Sequence, residues 1–153
     1  MAAGLVLAAE REWPSCYPHG VTRKELEAGL VPLLALLPEE VVSVYVFGSF
    51  ARGTQTPHSD VDLAFWRRTP SAPVLKEQPY GLAAQLERTL GREVDLVELN
   101  HAPPDLLHEV LRDGVIVLDR EPDLRVRFEV AARAQYLDML PVLRRHRRGR
   151  AAQ

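Results

Sequence analysis

An α/β fold, a mixed sheet of about four strands flanked by helices, is predicted by three features of this sequence. Four short runs rich in β-branched and other apolar residues occupy 41–47, 60–66, 93–99 and 115–118, each of a length that suits a strand. The segments between and beyond them carry leucines at the three- and four-residue spacing of helices. Proline or glycine marks most of the boundaries, where one cannot continue a helix and the other readily turns the chain.

The elements follow in order. Thr22-Arg23-Lys24-Glu25 forms a capping box in which hydroxyl and carboxylate each satisfy a backbone amide, and Leu26, Leu30 and Leu34 continue on one helical face. Pro32 should kink or split this helix because it has no amide hydrogen, and Pro38 ends it. Val41 to Phe47 is a continuous β-branched and aromatic run, as expected of a central strand buried on both faces. Asp60 to Trp66 alternates instead, with Val61, Leu63 and Phe65 on one face and Asp60, Asp62 and Ala64 on the other.

A loop with Pro70 and Pro73 leads to a helix that Pro79 can open, with Leu82, Leu86 and Leu90 inward and Gly91 as its cap. Glu93 to Leu99 is a third strand. A short helix beyond Asn100, Pro103 and Pro104 buries Leu107, Val110 and Leu111 and stops at Gly114, and Val115 to Leu118 is a fourth strand. Pro122 opens a long helix with Leu124, Phe128, Ala131, Met139 and Leu143 inward and a bend or break near Pro141. The domain organisation expected is an extension over 1–20, one domain over 21–147 and a basic tail over 148–153.

Length and composition fit that picture. The chain has 153 residues, 46% hydrophobic and 26% charged, enough to bury the core of one globular domain. Its single cysteine, Cys16, excludes an internal disulfide framework and suits a reducing compartment. The opening MAAGLVLAAERE has no basic leader, and its apolar run is too short for a signal peptide or a membrane span, so a cytoplasmic protein without membrane association is expected. Net charge is −2, yet Arg144, Arg145, Arg147, Arg148 and Arg150 crowd one end and leave the rest more acidic. Such a basic end suits contact with RNA or an acidic partner, or simply a solvated terminus.

The candidate chemistry lies at two junctions. Gly48-Ser49-Phe50-Ala51-Arg52-Gly53 follows directly on the first strand. Glycine allows a sharp turn and close approach of a ligand, and the unpaired amides opening the next short helix suit a phosphate. The Ser49 hydroxyl adds a donor, and Gly53 can end that helix after one turn. Ser59-Asp60-Val61-Asp62 opens the second strand, so two carboxylates stand two residues apart on one side, about 6.5–7 Å along the backbone. Like charges so placed are unfavourable without a cation, and hard oxygen ligands select Mg²⁺ or Mn²⁺. Asp95 lies among Val94, Leu96 and Val97, an expensive place for a lone carboxylate unless the strand shows a solvated face. Should its strand lie beside the second, Asp95 completes a trio facing the Gly-Ser turn. None of the five histidines reads as a metal ligand: His58 suits a solvated loop, and His101 and His108 have no Cys or His partner at zinc-site spacing; Trp13 and Trp66 suit packing or partner contacts better than base stacking.

GSFARGTQTPHSDVDLAF, with Gly-Ser, a spacer and Asp-x-Asp, resembles the signature of the DNA polymerase β-like nucleotidyltransferase superfamily. Gly-Ser-x-Ala-Arg-Gly followed by Ser-Asp-x-Asp-Leu is most similar to the minimal nucleotidyltransferases (MNT), antitoxins of HEPN toxins, and the likeness continues through Val94-Asp95-Leu96-Val97 and Gly114-Val115-Ile116-Val117-Leu118. The resemblance implies the superfamily's nucleotidyltransferase fold and a Mg²⁺-dependent enzyme, with two ions, that moves AMP from ATP onto a tyrosine of a HEPN-type toxin and so silences it. It implies that Gly48 and Ser49 bind the triphosphate, that Asp60 and Asp62 ligate the metals and that Asp95 ligates the catalytic one. Arg52 and Ser59 match the pattern as nucleotide-binding positions, with packing of the turn or strand start as the other role open to them. Two alternatives accompany it: transfer to RNA or to a small molecule such as an aminoglycoside, and a non-catalytic nucleotide-binding antitoxin that acts by covering its toxin.

Overall fold

A computed structural model describes residues 28–30, 34, 37–70 and 80–150, with the side chains of 80, 82 and 142–150 left aside. The capping box at Thr22 to Glu25, Pro32, Pro73, Pro79 and the extension 1–20 lie outside the described residues. Within them, the chain runs through β1 (Val41–Phe47), α1 (Gly48–Arg52), β2 (Val61–Arg67), α2 (Tyr80–Leu90), β3 (Val94–Glu98), a 3₁₀ turn (Leu99–His101), α3 (Pro104–Asp113), β4 (Val115–Asp119) and α4 (Pro122–Arg150). The sheet order is β3-β2-β1-β4. β1 is antiparallel to both β2 and β4, whereas β2 and β3 are parallel, so the sheet is mixed as expected.

All seven residues of β1 are buried, which its inner place and its apolar run both require. One face of the sheet packs Val44, Val46, Val61, Leu63 and Phe65 against Leu30, Leu34 and Leu86. The other packs Tyr45, Ala64 and Trp66 against Leu107, Val110 and Leu111 of α3 and Ala132 of α4. The alternation read in β2 is therefore correct, but both of its faces are covered. Trp66 stacks on Phe128 of α4 with ring centroids 4.4 Å apart, a packing role.

One detail of α4 differs from the sequence expectation and another narrows it. Ala132 rather than Ala131 is buried, because the row Leu124, Phe128, Ala132 advances by four residues and stays over the sheet, while Ala131 lies to its side. The helix also runs without a break through Pro141 to Arg150, so of the bend or break expected there the break does not occur. The backbone of the arginine-rich segment is thus helical. No helix among the described residues is long and apolar enough to cross a membrane.

A buried ionic cluster fastens α4 to the sheet. Arg125 donates from Nε to Asp119 Oδ2 at 2.8 Å and from Nη1 to Glu129 Oε1 at 2.7 Å, and the Tyr45 hydroxyl donates to the same Glu129 oxygen at 3.0 Å. Burial, then the charge of Glu129, pushes the Tyr45 hydroxyl well above the ordinary tyrosine range. Arg120 meanwhile donates to the carbonyls of Leu37 and Val41, each at 3.0 Å, satisfying backbone where the leading helical segment hands over to β1.

Candidate active site

The strand directions bring the carboxyl end of β1 and the amino ends of β2 and β3 to one end of the sheet. Phe47 pairs with Asp62, and Gly48 turns the chain into α1 immediately beyond that pair. Gly48 has φ +66°, a region that costs other residues about 1–2 kcal/mol. A Cβ built on Gly48 would sit 2.0 Å from Asp62 Oδ2, so the acidic side chain occupies the space that glycine leaves. Glycine is required twice here, for backbone and for room. Phe47 provides no side-chain cap for the amides opening α1, and Gly53 closes the helix in the left-handed conformation at φ 70°. Ser49, half-buried, belongs to that first turn.

Asp62 pairs in register with Asp95 across the parallel β2–β3 ladder, so both side chains leave the same face of the sheet. Asp60 precedes β2 by one residue and is exposed. Asp95 is exposed too, the solvated-face alternative left open by its apolar neighbours: β3 is an edge strand, and Asp95 meets solvent there. Asp62 is half-buried. Burial first, then the charges of Asp95 and Asp60, hold its carboxyl above the ordinary value of 3.8, with Arg52 opposing them.

A testable pH dependence follows. Below about pH 3.8 Asp62 is protonated in folded and unfolded chains alike. As pH rises from there through the elevated folded-state value, the folded protein retains a proton the unfolded chain has lost, so stability falls across that window. In EDTA, an Asp62→Asn variant should therefore melt progressively higher than the parent as pH is raised. A melting difference that stays constant with pH would contradict this electrostatic picture.

Arg52 lies at the end of α1, with Nη1 bound to Glu109 Oε1 at 3.1 Å, both side chains well exposed. Ser59 shapes the loop before β2: its Oγ accepts from the Thr56 amide at 2.8 Å and lies 3.1 Å from Thr56 Oγ1. Two residues near this cluster escaped the sequence reading. Glu109 on α3 adds to the negative field on Asp62, and Arg92 binds the loop that carries Ser59. Neither had a local motif to reveal it, since each meets its partners only through the fold.

These are hard oxygen donors gathered where like charge already disfavours ionisation, a donor set that fits Mg²⁺ or Mn²⁺. Among the described residues no group of three His, Cys, Asp or Glu side chains is placed to hold a metal ion by itself. Mg²⁺ commonly binds through one or two carboxylates and completes its shell with water and substrate phosphate, and the present arrangement is of that open kind.

The family model for polymerase beta, nucleotidyltransferase matches residues 34–123, which contain all four strands of the described residues and the acidic end of the sheet. The chain belongs to that family. The protein adenylyltransferase MntA of Shewanella oneidensis is 34% identical over 71 residues, 46% of this chain and 49% of that protein. The match thus spans about half the length of that relative. A second relative, a protein of Methanocaldococcus jannaschii named putative protein adenylyltransferase, is 34% identical over 95 residues, 61% of this chain and 96% of that protein. A crystal structure of a toxin–antitoxin with AMP-PNP is similar with a TM-score of 0.68 and 26% identity, over 83% of this chain and 98% of that one. A mutant MntA–HpeT toxin–antitoxin structure gives a TM-score of 0.66 and 27% identity over the same shares.

The Gly48 geometry carries a stability prediction. Gly48→Ala should destabilise the fold by about 2 kcal/mol or more, from the left-handed backbone and the collision with Asp62 together. Adding Asp62→Ala should recover the collision but not the backbone cost. Denaturant midpoints of the two single variants and the double variant check this, and strict additivity would exclude contact between the two positions.

Proposed function

We propose that this chain is a Mg²⁺-dependent nucleotidyltransferase that transfers AMP from ATP to a hydroxyl of a partner protein, a tyrosine of a HEPN-type toxin, and thereby acts as its antitoxin. The observation that carries the reading is the in-register Asp62–Asp95 pair beneath the Gly48 turn. The names of the adenylyltransferase relatives and the likeness to toxin–antitoxin structures, one of them with AMP-PNP, support the donor and the class of acceptor.

In this reading Gly48 and Ser49 receive the triphosphate, with first-turn amides and the Ser49 hydroxyl as donors. Asp60, Asp62 and Asp95 would hold two Mg²⁺ ions between them, with water and phosphate oxygens completing the shells. Bound Mg²⁺ supplies charge neutralisation and orientation of the phosphates. The acceptor oxygen forms a bond to the α-phosphorus as the bond to the pyrophosphate oxygen breaks in line. Asp95, exposed at the sheet edge where an acceptor can approach, takes the hydroxyl proton. Most of the rate enhancement then comes from positioning and fixed charge. Arg52 acts on the nucleotide by charge from the end of α1, and Ser59 acts by shaping the loop before Asp60.

The test is incubation with ATP labelled at the α-phosphate, Mg²⁺ and a HEPN-type protein. Label on the partner is expected. Label on RNA would transfer the same chemistry to another acceptor, which the arginine-rich end of α4 favours as the second reading. Absence of both label and Mg·ATP uptake would end the enzymatic reading.

A further inference from the structure

Arg92 lies in the short connection between α2 and β3, and one of its nitrogens gathers three carbonyl groups of a single loop. Nη1 donates to Pro57 O at 2.8 Å and shares longer contacts of 3.3 Å with Thr56 O and Ser59 O. The same guanidinium sits 5.7 Å from the centroid of Phe50, a ring of α1 that is 1% exposed. Such a cation lying against an aromatic face is attracted by the ring quadrupole. Immediately after Arg92, Glu93 O accepts from the amide of Val61 at 2.9 Å, the first bond of the β2–β3 junction.

These contacts meet at every component of the acidic site. The loop 56–59 ends where Asp60 begins, Phe50 follows Gly48-Ser49 on α1, and β3 delivers Asp95 three residues beyond Arg92. Asp60 itself lies in the loop before β2, so strand pairing does not hold it as it holds Asp62 and Asp95. The Val61 amide's bond to Glu93 O holds the peptide on the carboxyl side of Asp60, and the 56–59 loop must hold the chain on its amino side.

We propose that Arg92 is a positioning residue, whose guanidinium ties the 56–59 loop to α1 and to the start of β3 and so fixes Asp60 against Asp62 and Asp95. The planar fork is suited to this because it can donate to several carbonyls while its face lies on a ring, which an ammonium does less well. Arg92 touches no reacting atom. The inference rests on the nucleotidyltransferase reading for the purpose of the site, but the loop restraint stands on its own contacts.

The experiment compares the full chain with Arg92→Ala and Arg92→Lys. Hydrogen exchange should quicken in Arg92→Ala over 54–62 while β1 and β4 keep their protection. At saturating Mg·ATP, turnover should fall at least about tenfold, and methylguanidinium should restore part of it, more than Arg92→Lys does. A purely structural role would instead lower the folded fraction, speed exchange throughout the sheet and show no rescue. Unchanged exchange over 54–62 overturns the restraint. Parental turnover in Arg92→Ala despite faster exchange overturns the positioning role. If the parent protein itself takes up no Mg·ATP, it is the nucleotidyltransferase reading that fails, and the exchange result still decides whether Arg92 holds the loop.

Discussion

Replacing Asp62 with asparagine is expected to slow AMP transfer by at least ~10²-fold, the scale on which enzymes lose rate when one fixed electrostatic group is removed. Asp62 is the member of the trio that the fold places between β1 and β3 and against the Gly48 turn. It precedes Ala64 and Trp66 on a covered face of β2, pairs with Asp95 on one side and with Phe47 on the other, and fills the space beside Gly48. Burial and its acidic neighbours also hold its carboxyl above the ordinary range. Asparagine keeps the shape and one oxygen but removes the charge that offsets a cation. The variant should fold, melt higher than the parent without metal, and bind Mg·ATP weakly. This combination separates a functional carboxylate from a structural one, because a structural aspartate would lose stability on neutralisation. Single-turnover transfer and calorimetry with Mg·ATP read both sides. A near-parental rate would remove Asp62 from the proposed chemistry.

The largest stability effect is expected far from that end of the sheet. Arg125→Ala should cost about 3–5 kcal/mol, the range for removing one partner of a buried ion pair and leaving the other uncompensated. Asp119 and Glu129 are 3% and 8% exposed, and Arg125 bridges them. Burial alone would lower the Arg125 guanidinium, but its bonds to Glu129 and Asp119 more than reverse this and hold it above its ordinary range. The exposed Arg68–Glu121 pair is the internal comparison. Glu121→Ala should cost no more than about 1 kcal/mol, because solvent screens that pair. Urea midpoints of both variants decide the matter. Similar small losses would mean that water reaches the cluster and that α4 is fastened chiefly by Trp66, Phe128 and Ala132.

Much of the architecture was legible because its signals are local. A strand buried on both faces needs an unbroken apolar run, and Val41–Phe47 is one. The two-residue period of β2 placed Asp62 opposite Val61 and Leu63 whatever the strand's neighbours might be. Gly48 and Gly53 marked a one-turn helix by their positions, and both adopt positive φ. The third strand was read two residues too long, from Glu93 to Leu99, since Glu93 contributes only its carbonyl and Leu99 already enters the 3₁₀ turn. Asp95 was harder. Its apolar neighbours left burial and a solvated face both open, and its place on an edge strand decided between them.

By itself, then, the sequence determined the series of strands and helices, the face shared by Asp62 and Ala64, and the glycine at the turn into α1. Each of these follows from backbone geometry within a few residues. Tertiary structure alone decided that β2 and β3 run parallel with Asp62 opposite Asp95, that Arg125 bridges Asp119 and Glu129, and that Arg92 reaches the loop before Asp60. Those pairings join segments whose neighbourhood is set by packing the whole sheet and its helices, a long-range outcome that no local periodicity encodes.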